Sequence, residues 1–227
     1  MDETAAAGLG TVMMPLSDTL SEEAQSLWDA ACALARTAPQ GGRPLPPLLF
    51  FTDPARTPRP WETAARLPAG AGVVFRHFGA ADRLETGRRL REATHRAGVQ
   101  LLVGLDADLA EHIEADGVHL PERALSAAWS LSGRRPDWLL TGAAHSPAAV
   151  RGARDLHALV LSPVFPAGGA SSVKAPLGVE GFSALAALAL CPVYALGGIT
   201  ALNAPLLAAS GASGLAGVEA IQTAFAG

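Results

Sequence analysis

The chain reads as one α/β domain, a (β/α)8 (TIM) barrel with an extra N-terminal helix. Three observations predict this. Short apolar runs begin at Leu48 and recur about every 24 residues until Gly214, a step that fits one strand, one helix and two short loops. The runs are continuous rather than alternating, as in strands buried on both faces of a parallel sheet. There are eight of them, and eight strand–helix units close into a barrel. The rival is a doubly wound open sheet. That fold usually opens with a glycine-rich turn after its first strand, and here the turn is "FTDPART", without glycine.

The elements follow in order. Residues 1–16 show no period and read as a tail. Ser17 and Asp18 can cap a helix, and Leu20, Ala24, Leu27, Ala31 and Leu34 recur at helical spacing, which predicts one helix over 20–37. "TAPQGGRPLPP" ends it. Residues 1–47 are therefore tail, helix and Pro/Gly linker, and 48–227 the barrel. The predicted strands are LLFFTD (48–53), GVVFRHF (72–78), VQLLVGL (99–105), GVHL (117–120), WLLTGAAH (138–145), ALVLSPVF (158–165), PVYALGGI (192–199) and GLAGVEA (214–220). The segments between them are rich in Ala, Arg and Glu. Only seven residues follow Ala220, so the last helix is short. The 20–37 helix is expected either to cover the barrel bottom or to fill the place beside strands 8 and 1.

Composition narrows the function. Of 227 residues 49% are hydrophobic but only 5% aromatic, so the core is built from Ala, Leu and Val. A net charge of −4 offers no basic stripe for nucleic acid. No apolar run reaches membrane-spanning length, and no secretory signal pattern opens the chain. Cys32 and Cys191 stand far apart and read as reduced packing residues of a cytoplasmic protein. A homo-oligomer stays open.

Barrel active sites lie at the C-terminal strand ends. "ALGGI" and "GLAGVEA" place Gly197, Gly198, Gly217 and Val218 at the ends of strands 7 and 8, where exposed N–H groups can hold phosphate. A tight strand-to-helix turn would also favour glycine, and Glu219 puts a carboxylate beside the spot. Arg76 ends strand 2 and can fork onto phosphate oxygens; the alternative is an ion pair with Asp53. His119 alternates with Val118 and Leu120 and has no second ligand at metal spacing, which leaves packing or ring-lining. His145 ends strand 5 as a candidate acid/base, or else caps the next helix with Ser146. His77, His95, His112 and His157 fall in helical or outward positions.

In this order "FFTD", "FR", "ADGVHLPE", "GAAHS", "LSPVFP", "PVYALGGI" and "GASGLAGVEAI" resemble the thiamine phosphate synthase/TenI family over Leu48–Ile221. The resemblance implies a phosphate-binding barrel that handles the thiazole half of thiamine. Synthases join thiazole phosphate to a pyrimidine diphosphate with Mg²⁺; TenI-type members tautomerise the thiazole. It implies ligand contacts by Arg76, His119, Lys174, Gly197, Gly198, Gly217 and Val218, and catalysis by His145, which moves the proton, together with Arg76. The chain departs from the synthase pattern at several positions. Phe78 stands for a lysine, and Gly104-Leu105 for an Asn-Asp pair, with Asp106 one residue late. Ala124 replaces a second metal-binding Asp, and Ala143 and Glu219 replace serines. Lys174 sits in a loop out of register. No metal ligands are assigned, and Mg²⁺ enters only with a retained synthase reaction. Three functions stay open: a synthase with rearranged groups, a thiazole tautomerase, and a non-catalytic binder of thiazole phosphate or thiamine phosphate.

Overall fold

The computed structural model of the chain describes residues 20–38, 43–169 and 172–226; the expected tail over 1–16 lies outside them. Eight parallel strands close in sequence order: β1 Leu48–Phe51, β2 Gly72–Phe75, β3 Gln100–Gly104, β4 Gly117–Leu120, β5 Leu139–Ala144, β6 Ala158–Leu161, β7 Val193–Leu196 and β8 Gly214–Gly217. Each lies within its predicted run. The runs are longer because their last residues turn into loops. Asp53, for example, folds back to accept the N–H groups of Ala55 and Arg56. The helices are α1 Glu22–Thr37, α2 Pro60–Ala64, α3 Arg83–Ala97, α4 Ala107–His112, α5 Ala127–Arg134, α6 Pro147–Gly152, α7 Gly178–Ala186 and α8 Glu219–Ala224. Between β7 and β8 there is only the 3-10 turn Ala204–Leu207.

Two apolar layers follow from the strand period of two. Leu49, Phe51, Val74, Leu102, Leu139, Val160, Tyr194 and Ala216 fill the barrel interior. Leu48, Phe50, Val73, Leu101, Val118, Leu140 and Leu215 face the helices. The interior is tight enough to demand glycine. A Cβ on Gly117 would come within 1.9 Å of the Leu139 carbonyl oxygen, and one on Gly214 within 2.5 Å of the Tyr194 ring. The Tyr194 hydroxyl donates to the Pro46 carbonyl at 2.5 Å, tying β7 to the segment that leads into β1.

Helix α1 completes the outer layer where the barrel's own helices are shortest. The Ser21 Oγ accepts from the Ala24 N–H, and Glu22 and Glu23 favour the positive helix start. Ala24, Leu27, Ala31 and Leu34 are buried against β8, β1, α8 and the 3-10 turn. Ser21 also donates to the Ala224 carbonyl at 2.9 Å. This is the second of the two expected placements, beside strands 8 and 1, and it gives α1 a share of the barrel's core. Burying a leucine there is worth roughly 2 kcal/mol.

Candidate functional site

The mouth is built by parity. Extending the interior-facing positions of each strand by two residues brings Asp53, Arg76, Ala143, Leu196 and Val218 to the rim. On the β7–β8–β1–β2 side lies a cavity of about 290 Å³ bordered by Arg56, Arg76, Gly168, Gly197, Gly198, Gly217, Val218 and Glu219. Gly197 and Gly198 have φ of 101° and 66°, a left-handed backbone that suits glycine. Their lack of side chains also admits the β6–α7 loop. A Cβ on Gly198 would meet the Pro166 carbonyl at 2.3 Å, and one on Gly197 would meet Pro163 at 2.8 Å. The turn and the cavity wall are thus one structure.

Arg76 is held for this cavity. Its N–H donates to Thr52 Oγ1 at 2.9 Å and its Nε to the Thr52 carbonyl at 3.0 Å. Its guanidinium lies 5.0 Å from the Phe51 ring centre. Burial lowers its pKa to about 10, against the raising effect of Asp53, so it stays charged at neutral pH. The alternative pairing with Asp53 is not formed. Asp53 binds Arg56 instead, Oδ2 to Nη2 at 2.9 Å. Burial pushes the Asp53 carboxyl upward, and the bonds from Arg56 and Ala55 more than offset it, so its pKa lies below the usual value. Arg56 was not legible as a site residue: it sits in the β1–α2 loop, and only the folded loop turns it to the cavity.

On the β5 side stands His145, half-exposed. Its Nδ1 lies 2.8 Å from Glu122 Oε2, which also accepts the His145 N–H at 2.7 Å. The neutral ring that donates from Nδ1 to a carboxylate keeps Nε2 as a base. Ser146 alone caps α6, accepting from the Ala149 N–H, so capping does not account for the histidine. Glu122 is a second group that sequence reasoning missed, 23 residues away in the chain. Strand 5 lies opposite strand 1 in the closed ring, so His145 and the loop that carries Arg56 follow strands on opposite sides of the barrel.

The other expected contacts fall elsewhere. His119 is buried beneath the mouth, its Nδ1 2.9 Å from Thr141 Oγ1 and its ring edge-on to Phe51 at 5.0 Å. Burial, aided by Arg76, lowers its pKa to about 3. It is a packed, neutral ring that does not border the cavity. Lys174 is exposed in the β6–α7 loop and does not border it either. His77 is buried, not outward, with its Nε2 lacking a partner. His157 accepts the Leu140 N–H at 3.0 Å, a structural bond.

The end of β3 bears on Mg²⁺. Leu105 takes φ 63° and is thrown outward beside Phe78, both exposed. Asp106 caps α4 through Leu109 N at 2.8 Å and binds Arg83 at 2.5 Å. Burial raises its carboxyl pKa, while the Leu109 N–H and the Arg83 pair more than offset this, leaving the net value low. Ala124 offers no carboxylate, and Glu122 is engaged by His145. Among the described residues no three His, Cys, Asp or Glu cluster as a metal site would need. These residues do not fit a protein-held Mg²⁺, which wants oxygen ligands in near-octahedral array. A larger depression of about 780 Å³ lies outside the barrel between α2 and α3, around Trp61 and Arg89, remote from the strand ends.

The fold and mouth define a (β/α)8 barrel whose polar groups gather at the C-terminal strand ends, with paired arginines and glycine turns on one side. The thiamine monophosphate synthase (TMP-TENI) family model matches residues 52–221, and the chain belongs to that family. It is 35% identical over 138 residues, 56% of its length, to the thiamine biosynthesis bifunctional protein ThiM/ThiE of Symbiobacterium thermophilum, of which this covers 28%. It is 43% identical over 60 residues, 25% of its length, to the thiamine-phosphate synthase of Haloarcula marismortui, covering 28% of that protein. A thiamine-phosphate synthase of Haloquadratum walsbyi is 35% identical over 91 residues, 39% of this chain and 41% of that one. The chain thus spans less than half the length of each of these relatives. Among solved structures, thiamine phosphate pyrophosphorylase from Pyrococcus furiosus superposes with TM-score 0.63 at 24% identity, covering 78% of this chain and 91% of that one. FabK from Thermotoga maritima does so with TM-score 0.57 at 14% identity, covering 79% and 59%. Both likenesses show the fold. No described helix is long and apolar enough to cross a membrane.

Proposed function

We propose that this protein binds a phosphorylated thiazole and moves a proton on it, rather than joining it to a pyrimidine diphosphate. The observation that carries the reading is the cavity bordered by Arg56, Arg76 and the glycine ends of β7 and β8, a setting suited to a phosphate. From there the ring reaches over the barrel axis toward β5. His145, oriented by Glu122, has its Nε2 free of protein partners among the described residues. It takes the proton from a ring-attached carbon and returns one to another. Proton transfer needs only a held phosphate and a positioned base.

Condensation needs a neutralised diphosphate leaving group. Asp106 is committed to Arg83 and to the α4 cap, and Phe78 and Leu105 present apolar surface there. The synthase names of the relatives favour condensation as the second reading. A cytoplasmic location suits the phosphorylated ligand and the unpaired Cys32 and Cys191. The test assays both reactions on the wild type beside calorimetry with thiazole phosphate. Proton exchange without Mg²⁺-dependent thiamine phosphate formation upholds the proposal, and robust condensation restores the synthase. Binding with no turnover in either assay leaves a non-catalytic binder.

A further inference from the structure

The anion cavity carries its own competitor. Two guanidiniums, Arg56 and Arg76, border it, and so does Glu219, with Asp53 paired to Arg56 behind them. These four formal charges sum to zero, which is unlike a cavity dedicated to a dianion. The Glu219 Oε2 lies 4.0 Å from Arg56 Nη1, and its side chain is 57% exposed. It has room to leave. The β6–α7 loop lies on both partners: a Cβ on Gly169 would come within 2.9 Å of the Arg56 guanidinium carbon, and one on Gly168 within 3.5 Å of Glu219 Oε2. Arg56 is therefore held on two sides, by Asp53 and by the loop at Gly169. Glu219 is the one partner free to move.

We infer that Glu219 is a specificity-determining residue that occupies Arg56 in the free protein and is displaced by an incoming phosphate, and that Arg56 is a second phosphate-binding arginine beside Arg76. This deepens the phosphate reading above and rests on it. Because an exposed ion pair is weak, a phosphate can break it. Because the phosphate must first take the carboxylate's place on Arg56, that displacement holds affinity down. The cavity thereby favours ligands that add contacts elsewhere in the mouth over free phosphate.

The experiment is a double-mutant cycle by calorimetry at low ionic strength, with inorganic phosphate as the probe, on wild type, Glu219→Gln, Arg56→Gln and the double variant. Glu219→Gln is expected to bind phosphate about tenfold more tightly than wild type. Arg56→Gln should weaken binding, and the double variant should match Arg56→Gln, because the gain runs through Arg56. Glu219→Ser serves as a second variant should the glutamine protein fold poorly. Unchanged or weaker affinity in both Glu219 variants overturns the inference. So does a gain that persists without Arg56, or phosphate binding by none of the proteins. The cycle reads phosphate alone, so it can close even where no thiazole is bound, and it can fail where one is.

Discussion

The two sides of the barrel mouth use their charged residues differently. On the β7–β8–β1–β2 side, Arg76 is anchored through its Nε and backbone to Thr52, which leaves the rest of the guanidinium toward the cavity. On the β3–β4–β5 side two carboxylates have protein partners, Asp106 with Arg83 and a helix cap, Glu122 with His145. In the reading proposed above, the first side receives an anion and the second positions a base, with Asp106 and Glu122 already engaged by protein partners. The difference teaches that the two halves of one barrel mouth can be read separately, by asking which charged groups the protein itself already occupies.

The sharpest way to break this comparison is to remove the base. His145→Ala should lower the proton-transfer rate by roughly 10² to 10⁴ and leave thiazole-phosphate affinity nearly unchanged. A parallel loss of affinity would place His145 in binding instead. Next comes the anion side. Arg76→Ala should weaken phosphorylated-ligand binding by roughly 10- to 100-fold at low salt, the worth of a charge-assisted hydrogen bond, and the difference should shrink as salt rises. A salt-independent loss would point to collapse of the Thr52–Phe51 packing.

Beneath both sides lies His119. Its pKa falls from 6.5 unfolded to about 3 folded, chiefly through burial. The unfolded chain therefore binds the extra proton, and the stability linked to neutral His119 is fully present above pH 6.5 and lost as pH falls from there toward 3. His77 and His157, also lowered by burial, act in the same direction. Urea unfolding at pH 7.5 and pH 5 should show this loss, and His119→Gln should reduce it. An unchanged slope would mean that His119 titrates normally. The smallest effect belongs to Leu105 at φ 63°. Leu105→Asn suits a left-handed backbone better and should add about 0.5 kcal/mol of stability. A loss would show that the outward leucine packs usefully against Phe78.

The barrel was legible because strands buried on both faces leave continuous apolar runs, from "LLFF" to "GLAG". Alternation set His119 on the face opposite Val118 and Leu120, and Arg76 stood out as the charged residue that ends an apolar run. Asp106 as a cap was also within reach, since it directly precedes the helical "ADLAEH". What stayed hidden depends on loops that meet only in space. Arg56 reaches Glu219 across the β1–β8 seam, and Glu122 reaches His145 across β4 and β5. No period in the sequence encodes either pairing. The same holds for α1, whose apolar stripe was plain but whose seat was one of two until the short β7–β8 connection exposed the gap it fills.

The most direct test of a mouth with one anion side and no metal side is calorimetry of thiazole phosphate against wild type and Arg76→Ala, and of the pyrimidine diphosphate against wild type in chelator and then in millimolar Mg²⁺. The account predicts thiazole-phosphate binding weakened at least tenfold by Arg76→Ala, and no tight diphosphate binding on adding Mg²⁺. Thiazole-phosphate binding that Arg76→Ala leaves intact, or tight diphosphate binding that appears with Mg²⁺, would contradict it.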